Sequence, residues 1–315
     1  MSLTTTRDCL LVVQKGDHSL GYYDVDSGAE LGRVALDLFP HEFALSPERR
    51  LAYMCHFGTA LAEDPGPGGN TVSVVDVPAR ERVGTLSCGD YRRPHGIDVD
   101  AAGRVLVLSE MTSRMLRFTG IDTGPEKVLP TGGEGSHFLT VTADGQRAFC
   151  SNMISGSVSV IDMAADEPLA VVDVGERPEG SVLSRDERRL YVVNRESREI
   201  SVIDAGSCRV LRSIRTRPGP VRIAMDKRGH LLVALYHGRG MAVIDPEMPS
   251  EQAFVALPDK AISISYDPVA GCAFLSTLAD EVCIVDVDTL SVQRRIHTRA
   301  DPDPTALVRI APPGR

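Results

Sequence analysis

The chain has no tryptophan, and only 5% of its 315 residues are aromatic. Tight protein docking surfaces usually anchor on Trp, Tyr and Arg, so a purely adhesive role is short of material. Long apolar runs are missing as well. No stretch approaches the ~20 residues that cross a bilayer as a helix. The opening MSLTTTRDCLLVV carries one Arg and no secretory-type apolar core. A cytoplasmic location and no membrane partner are expected. Positive charge is also scarce: 34 Lys and Arg face 43 Asp and Glu, for a net charge of −9 and a pI near 5.4. No basic run is interleaved with aromatics, so nucleic acid is not an expected partner. The seven Cys are odd in number, scattered and without a CxxC pair, which reads as reduced core thiols. There is no phosphate loop, no GxSxG and no HExxH, which disfavours common nucleotide, serine-hydrolase and zincin chemistry.

What the chain does have is a repeat. From Pro178 to Arg217 it runs through four short apolar segments, GSVLS, RLYVV, ISVID and RVLRSI, separated by polar turns. Each is strand length and rich in β-branched or aromatic residues, so the unit is a four-stranded meander. An apolar pair followed by Asp marks the third strand. It recurs at Tyr22-Tyr23-Asp24, Val74-Val75-Asp76, Val160-Ile161-Asp162, Val202-Ile203-Asp204, Val243-Ile244-Asp245 and Ile284-Val285-Asp286, with a degenerate copy at Leu116-Arg117-Phe118-Thr119. The steps between markers are 52, 43, 43, 42, 41 and 41 residues. Seven such units predict an all-β fold: a seven-bladed β-propeller with four-stranded antiparallel blades, one domain over residues 1–315. The segments Tyr191-Val192-Val193-Asn194 and Ser201-Val202-Ile203-Asp204 resemble the YVTN repeat of seven-bladed propellers. That resemblance covers nearly the whole chain and speaks to fold rather than chemistry.

The first unit lacks its innermost strand: Cys9–Val13, Leu20–Asp24 and Leu31–Leu36 match the second, third and fourth. The missing strand matches Pro304–Ala311 at the other end. A closing blade of the C-terminal strand plus three N-terminal strands follows, and it removes exposed sheet edges. The second unit carries an insertion, Gly58–Asn70 (GTALAEDPGPGGN), whose Pro and Gly content rules out a regular element. It reads as a surface loop or a lid. Asp162, Asp204, Asp245 and Asp286 precede turns and are assigned to turn hydrogen bonds.

One aligned column carries chemistry. The innermost strands begin with His41-Glu42-Phe43, His95-Gly96-Ile97, His137-Phe138-Leu139, Glu179-Gly180-Ser181 and Val221-Arg222-Ile223. Equivalent positions on neighbouring blades lie at one height, so His41, His95, His137 and Glu179 are predicted to converge at one mouth of the channel. Three imidazoles and a carboxylate are a ligand set for one transition metal ion, Fe(II), Cu or Zn. A bland alternative is a hydrogen-bonded polar plug. A second column, at the ends of the second strands, contains His56, Glu110, Asn152, Asn194, a position near Tyr236 or His237, and Thr277. His56 and Glu110 are candidate partners for a ligating His or acid–base groups, and Glu179 shares that catalytic candidacy. Arg93, Arg222, Tyr236 and His237 are candidates for binding the substrate, Arg through a carboxylate or phosphate.

The expected function is a metal-dependent enzyme acting on a small molecule at the channel mouth, an oxidoreductase of oxygenase or oxidase type. In architecture and ligand type this is similar to the carotenoid-cleaving oxygenases, the amidating lyase and the virginiamycin B lyase, without matching their motifs. A metal-assisted lyase or hydrolase on the same site is the alternative. A lactonase-like hydrolase would draw on Glu110, Glu179, Asn152 and Asn194. A non-catalytic scaffold that binds protein or peptide is the third class.

Overall fold

In a computed structural model, which describes residues 7–250 and 252–310, the chain forms seven four-stranded antiparallel sheets. Six are consecutive meanders. The seventh joins Pro302–Ile310 to Arg7–Gln14, Ser19–Asp24 and Glu30–Ala35. Blades are counted here from this closing blade as the first. Innermost strands of adjacent blades touch around the ring. No helix among the described residues is long and apolar enough to cross a membrane.

Burial follows from blade stacking. Second strands such as Arg189–Asn194 and third strands such as Ser157–Asp162 are buried on both faces, because each blade lies between two others. Outer strands such as Arg209–Arg215 are mostly exposed. The core therefore lies between blades. Tyr191, Val193 and Ile200 of the fifth pack on Ile223, Val233 and Ala242 of the sixth. Leu10, Val12 and Tyr23 of the first pack on Phe274, Val282 and Ile284 of the seventh. The marker aspartates sit in the turns: Asp162 accepts from the Ala164 and Ala165 N–H, Asp204 from Ser207, Asp245 from Glu247 and Asp286 from Thr289.

Two details position the site. Each innermost strand has a register irregularity just after its first residue, for example between Pro40 and Phe43, Pro94 and Ile97, and Pro178 and Ser181. Such a bulge re-aims the residues that follow. Proline, which lacks a ladder donor and suits the first position of a strand, opens five of the seven, at Pro40, Pro94, Pro178, Pro220 and Pro302. The closing strand starts at Pro302, two residues before the expected Pro304, with Pro302 opposite Gln14 and Ile310 opposite Arg7. The expected end at Ala311 and the expectation about the first six residues lie outside the described residues.

Candidate metal and substrate site

The strand order builds two rings at one mouth of the channel. The residue after the first position of each innermost strand gives His41, His95, His137, Glu179, Val221, Ile262 and Asp303. The residue following each second strand gives Lys15, Phe57, Glu110, Met153, Arg195, Tyr236 and Leu278. All fourteen line one cavity of about 370 Å³. The insertion adds Ala60 to Glu63 over it.

The three histidines form a stack. The His95 and His137 rings lie 3.8 Å apart at 29°, and His41 lies 4.3 Å from His95 at 43°. His137 Nδ1 is 2.7 Å from Glu110 Oε2, so the N–H donates to the carboxylate. Its Nε2 is buried with no hydrogen-bond partner. His95 Nδ1 donates to the His137 carbonyl at 2.7 Å, which likewise frees its Nε2. His41 Nδ1 lies 3.3 Å from Asp303 Oδ2. Burial, then the charges of Lys15 and Arg222, holds His41 well below the usual imidazole range. Burial, with its imidazole neighbours, does the same for His95. Both rings are neutral at neutral pH, which is the ligating form. Phe57 meets His41 and His95 edge-on and forms an apolar wall.

Two groups of these residues could hold a metal ion: His95, Glu110 and His137, and His41, Glu42 and His95. In the first, Glu110 sits against His137 Nδ1 and the ring's Nε2 has no partner, the layout that carboxylate–histidine–metal arrangements use. In the second, Arg222 competes. Its Nε and Nη2 donate to Glu42 Oε1 at 3.0 and 2.6 Å.

Glu179 was expected beside the three histidines, either on the metal or just behind its ligands. The structure places it among three guanidinium groups instead: Arg177 at 3.1 Å, Arg195 at 3.0 Å and Arg222 at 3.4 Å. Burial alone would raise its pKa, but His137, Arg222 and Arg195 outweigh it and hold the carboxyl low. Arg222, expected to bind substrate, is buried and bridges Glu42 and Glu179 across the cavity floor.

His56 does not reach the cavity. It pairs with Pro40, whereas Glu110 is one residue past the equivalent Ser109, and a one-residue step flips a side chain to the other face. His56 Nε2 bonds Ser73 Oγ at 2.7 Å, just as Asn152 bonds Ser159 and Asn194 bonds Ser201. It stands where the repeat has its Asn, and burial pushes its pKa down to about 4. Arg93 also turns away, donating to the Ala62, Asp64 and Gly66 carbonyls and pinning the insertion. Tyr236 lines the cavity, but His237 is exposed behind it. Asp303, Lys15, Arg177, Glu42 and Glu63 were missed. Asp303 had a signal: Pro302-Asp303 repeats the dipeptide pattern of Pro94-His95 and Pro178-Glu179. Burial, opposed by Lys15, raises Asp303 to about 7.

Residues 104–227 match the model of the YNCE-like beta-propeller family. No curated protein matches the sequence. Solved structures of similar shape include the periplasmic gluconolactonase PpgL of Pseudomonas aeruginosa, at a TM-score of 0.76, 16% identity and coverage of 96% of this chain and 99% of that one. Kuenenia stuttgartiensis hydrazine synthase follows at 0.72 and 15%, covering 86% and 90%. The dihydro-heme d1 dehydrogenase NirN follows at 0.66 and 13%, covering 95% and 74%. At these identities the likeness is one of fold, and the fold is one that enzymes use. The ring of seven closed four-stranded blades makes this chain a seven-bladed β-propeller, and over residues 104–227 it is similar to the YNCE-like beta-propellers.

Proposed function

We propose that this protein is a metal-dependent enzyme that transforms a small molecule in the cavity at the channel mouth. One observation carries the reading: a buried imidazole, His137, has its Nδ1 committed to Glu110 and its Nε2 left without a partner. Such an atom is costly in a folded interior unless something binds it. His95 offers a second free Nε2 beside it, and His41 a third ring. Imidazole-dominated donors suit Fe(II), Cu or Zn rather than Mg. Fe or Cu held here would supply redox chemistry and Zn would polarise a substrate oxygen.

The chain's own residues divide the remaining work. Glu110 orients His137 and strengthens its basicity. Phe57 and the Ala60–Ala62 stretch keep one wall apolar and limit water. An oxidoreductase is the first reading, for the case in which the ion held is Fe or Cu. Metal-assisted hydrolysis or elimination is the second, favoured by Asp303, a cavity carboxyl poised near neutrality where a general base works best. Seven free cysteines, five of them buried, fit a reducing cytoplasm.

Calorimetric titration of chelator-treated protein with Co(II) and Zn(II) tests the site. One equivalent is expected to bind to the wild type and none to His137→Gln. Equal binding in the variant, or no binding in the wild type, would contradict the assignment.

A further inference from the structure

We propose that the substrate carries an anionic group, a carboxylate or a phosphate, and that Arg195 and Arg177 receive it. The inference builds on the reading of the cavity as a reaction site. Three guanidinium groups converge on the single carboxylate of Glu179. Arg222 is further matched by Glu42 at 2.6 Å. Arg195 is not matched in this way. Its Nε is buried without a hydrogen bond, and its other carboxylate neighbour, Glu196, is exposed and 3.9 Å away. Its guanidinium lies 4.5 Å over the Tyr236 ring, which fixes the plane of the fork. A planar, pre-oriented fork with an idle Nε donor in a partly desolvated cavity is suited to recognition of a carboxylate or phosphate. Lys15, the other cation at the cavity, is instead taken by Asp301 at 3.2 Å and Asp303 at 3.8 Å.

The insertion supplies a second observation. Glu63 reaches down from it to place Oε1 3.4 Å from Arg177 Nη2, and Glu63 lines the same cavity. It is a tethered, exposed carboxylate resting on a cavity arginine. An anionic substrate group would take that contact, so Glu63 acts as an internal competitor. Its release would couple substrate entry to movement of the Gly58–Asn70 loop.

The test uses metal-free protein titrated calorimetrically with inorganic phosphate and, separately, with succinate. Saturable binding of at least one anion is expected, and the preferred one distinguishes a phosphate from a carboxylate substrate. Arg195→Met should weaken it about tenfold or more. Arg177→Met, at a more exposed position, should weaken it too and guards against a folding defect in the first variant. Glu63→Gln should tighten it about two- to fivefold. No saturable binding of either anion to the wild type, or undiminished binding in both Arg variants, would overturn the proposal. Zn(II) binding measured on the same samples reads the His95–His137 site separately, so failure of either reading is visible without the other.

Discussion

His56 and His137 show how one residue type serves two ends in the same repeat. Each has one buried ring nitrogen without a hydrogen-bond partner, but His137 lines the cavity beside Glu110, whereas His56 takes the place of the repeat's Asn and bonds Ser73 away from it. Replacing His56 with Asn restores the arrangement seen at Asn152–Ser159 and Asn194–Ser201. The pH consequence follows from linkage. His56 titrates near 4 in the folded chain, below its ordinary value near 6.5, so below 6.5 the unfolded chain binds the extra proton. Stability from this group is complete above about 6.5 and is lost as pH falls toward 4, on the order of 3 kcal/mol in full. His56→Asn should therefore melt like the wild type at pH 7.5 and higher than it at pH 5. A variant that loses the same stability at both values would show that His56 does more than fill the Asn position. At the other site, Glu110→Gln keeps an acceptor beside His137 Nδ1 but removes its charge. About 10- to 100-fold weaker metal binding is expected, with melting unchanged; unchanged affinity in a competition titration would remove Glu110 from the site.

At the scale of elements, the insertion behaves as a pinned loop rather than a free one. The Arg93 guanidinium holds three of its carbonyls, and the Gly69 N–H closes its neck on the Phe57 carbonyl at 2.7 Å. Gly58 has φ near +82° and stands against Gly69, where no side chain fits. Arg93→Met should free the loop and speed proteolytic nicking within residues 58–70, while the melting temperature changes little because the blades do not depend on it. Nicking at the wild-type rate would mean that Arg93 is not the pin. The strands themselves were legible in the sequence, since the two-residue alternation and the turn residues repeat seven times. The ring of His41, His95 and His137 was legible for the same reason. The pairing of Arg222 was not, because its partners lie far along the chain, Glu42 at 180 residues and Glu179 at 43; Arg177 and Arg195 lie only 2 and 16 residues from Glu179, and their convergence on it depends on side-chain directions that the repeat does not give. Asp303 was lost to a two-residue misplacement of the last strand, and His56 to an alignment that mixed two faces of the second strands.

On the scale of the whole molecule, a propeller is stable only as a closed ring, and here the first and last strands close it. Arg7–Gln14 pairs with Pro302–Ile310 along its length, and Leu307 packs with Leu10, Val12 and Phe274 between the first and seventh blades. Removing residues 302–315 exposes an edge of paired length and one wall of that core, so the truncated chain should melt at a lower temperature and self-associate in sedimentation. A monomer with unchanged melting would contradict this closure. The same deletion removes Asp303 from the cavity, so ring closure and the completeness of the site are one event. The most direct measurement is metal content by plasma mass spectrometry on protein purified without a His tag, beside a His41→Ala/His95→Ala/His137→Ala variant. Near-stoichiometric Fe, Cu or Zn in the wild type, absent from the folded variant, is the predicted result, and the metal found would decide between redox and Lewis-acid chemistry. No metal in either, even after anaerobic reconstitution with Fe(II), Cu and Zn, would make the three histidines a polar plug in the channel mouth.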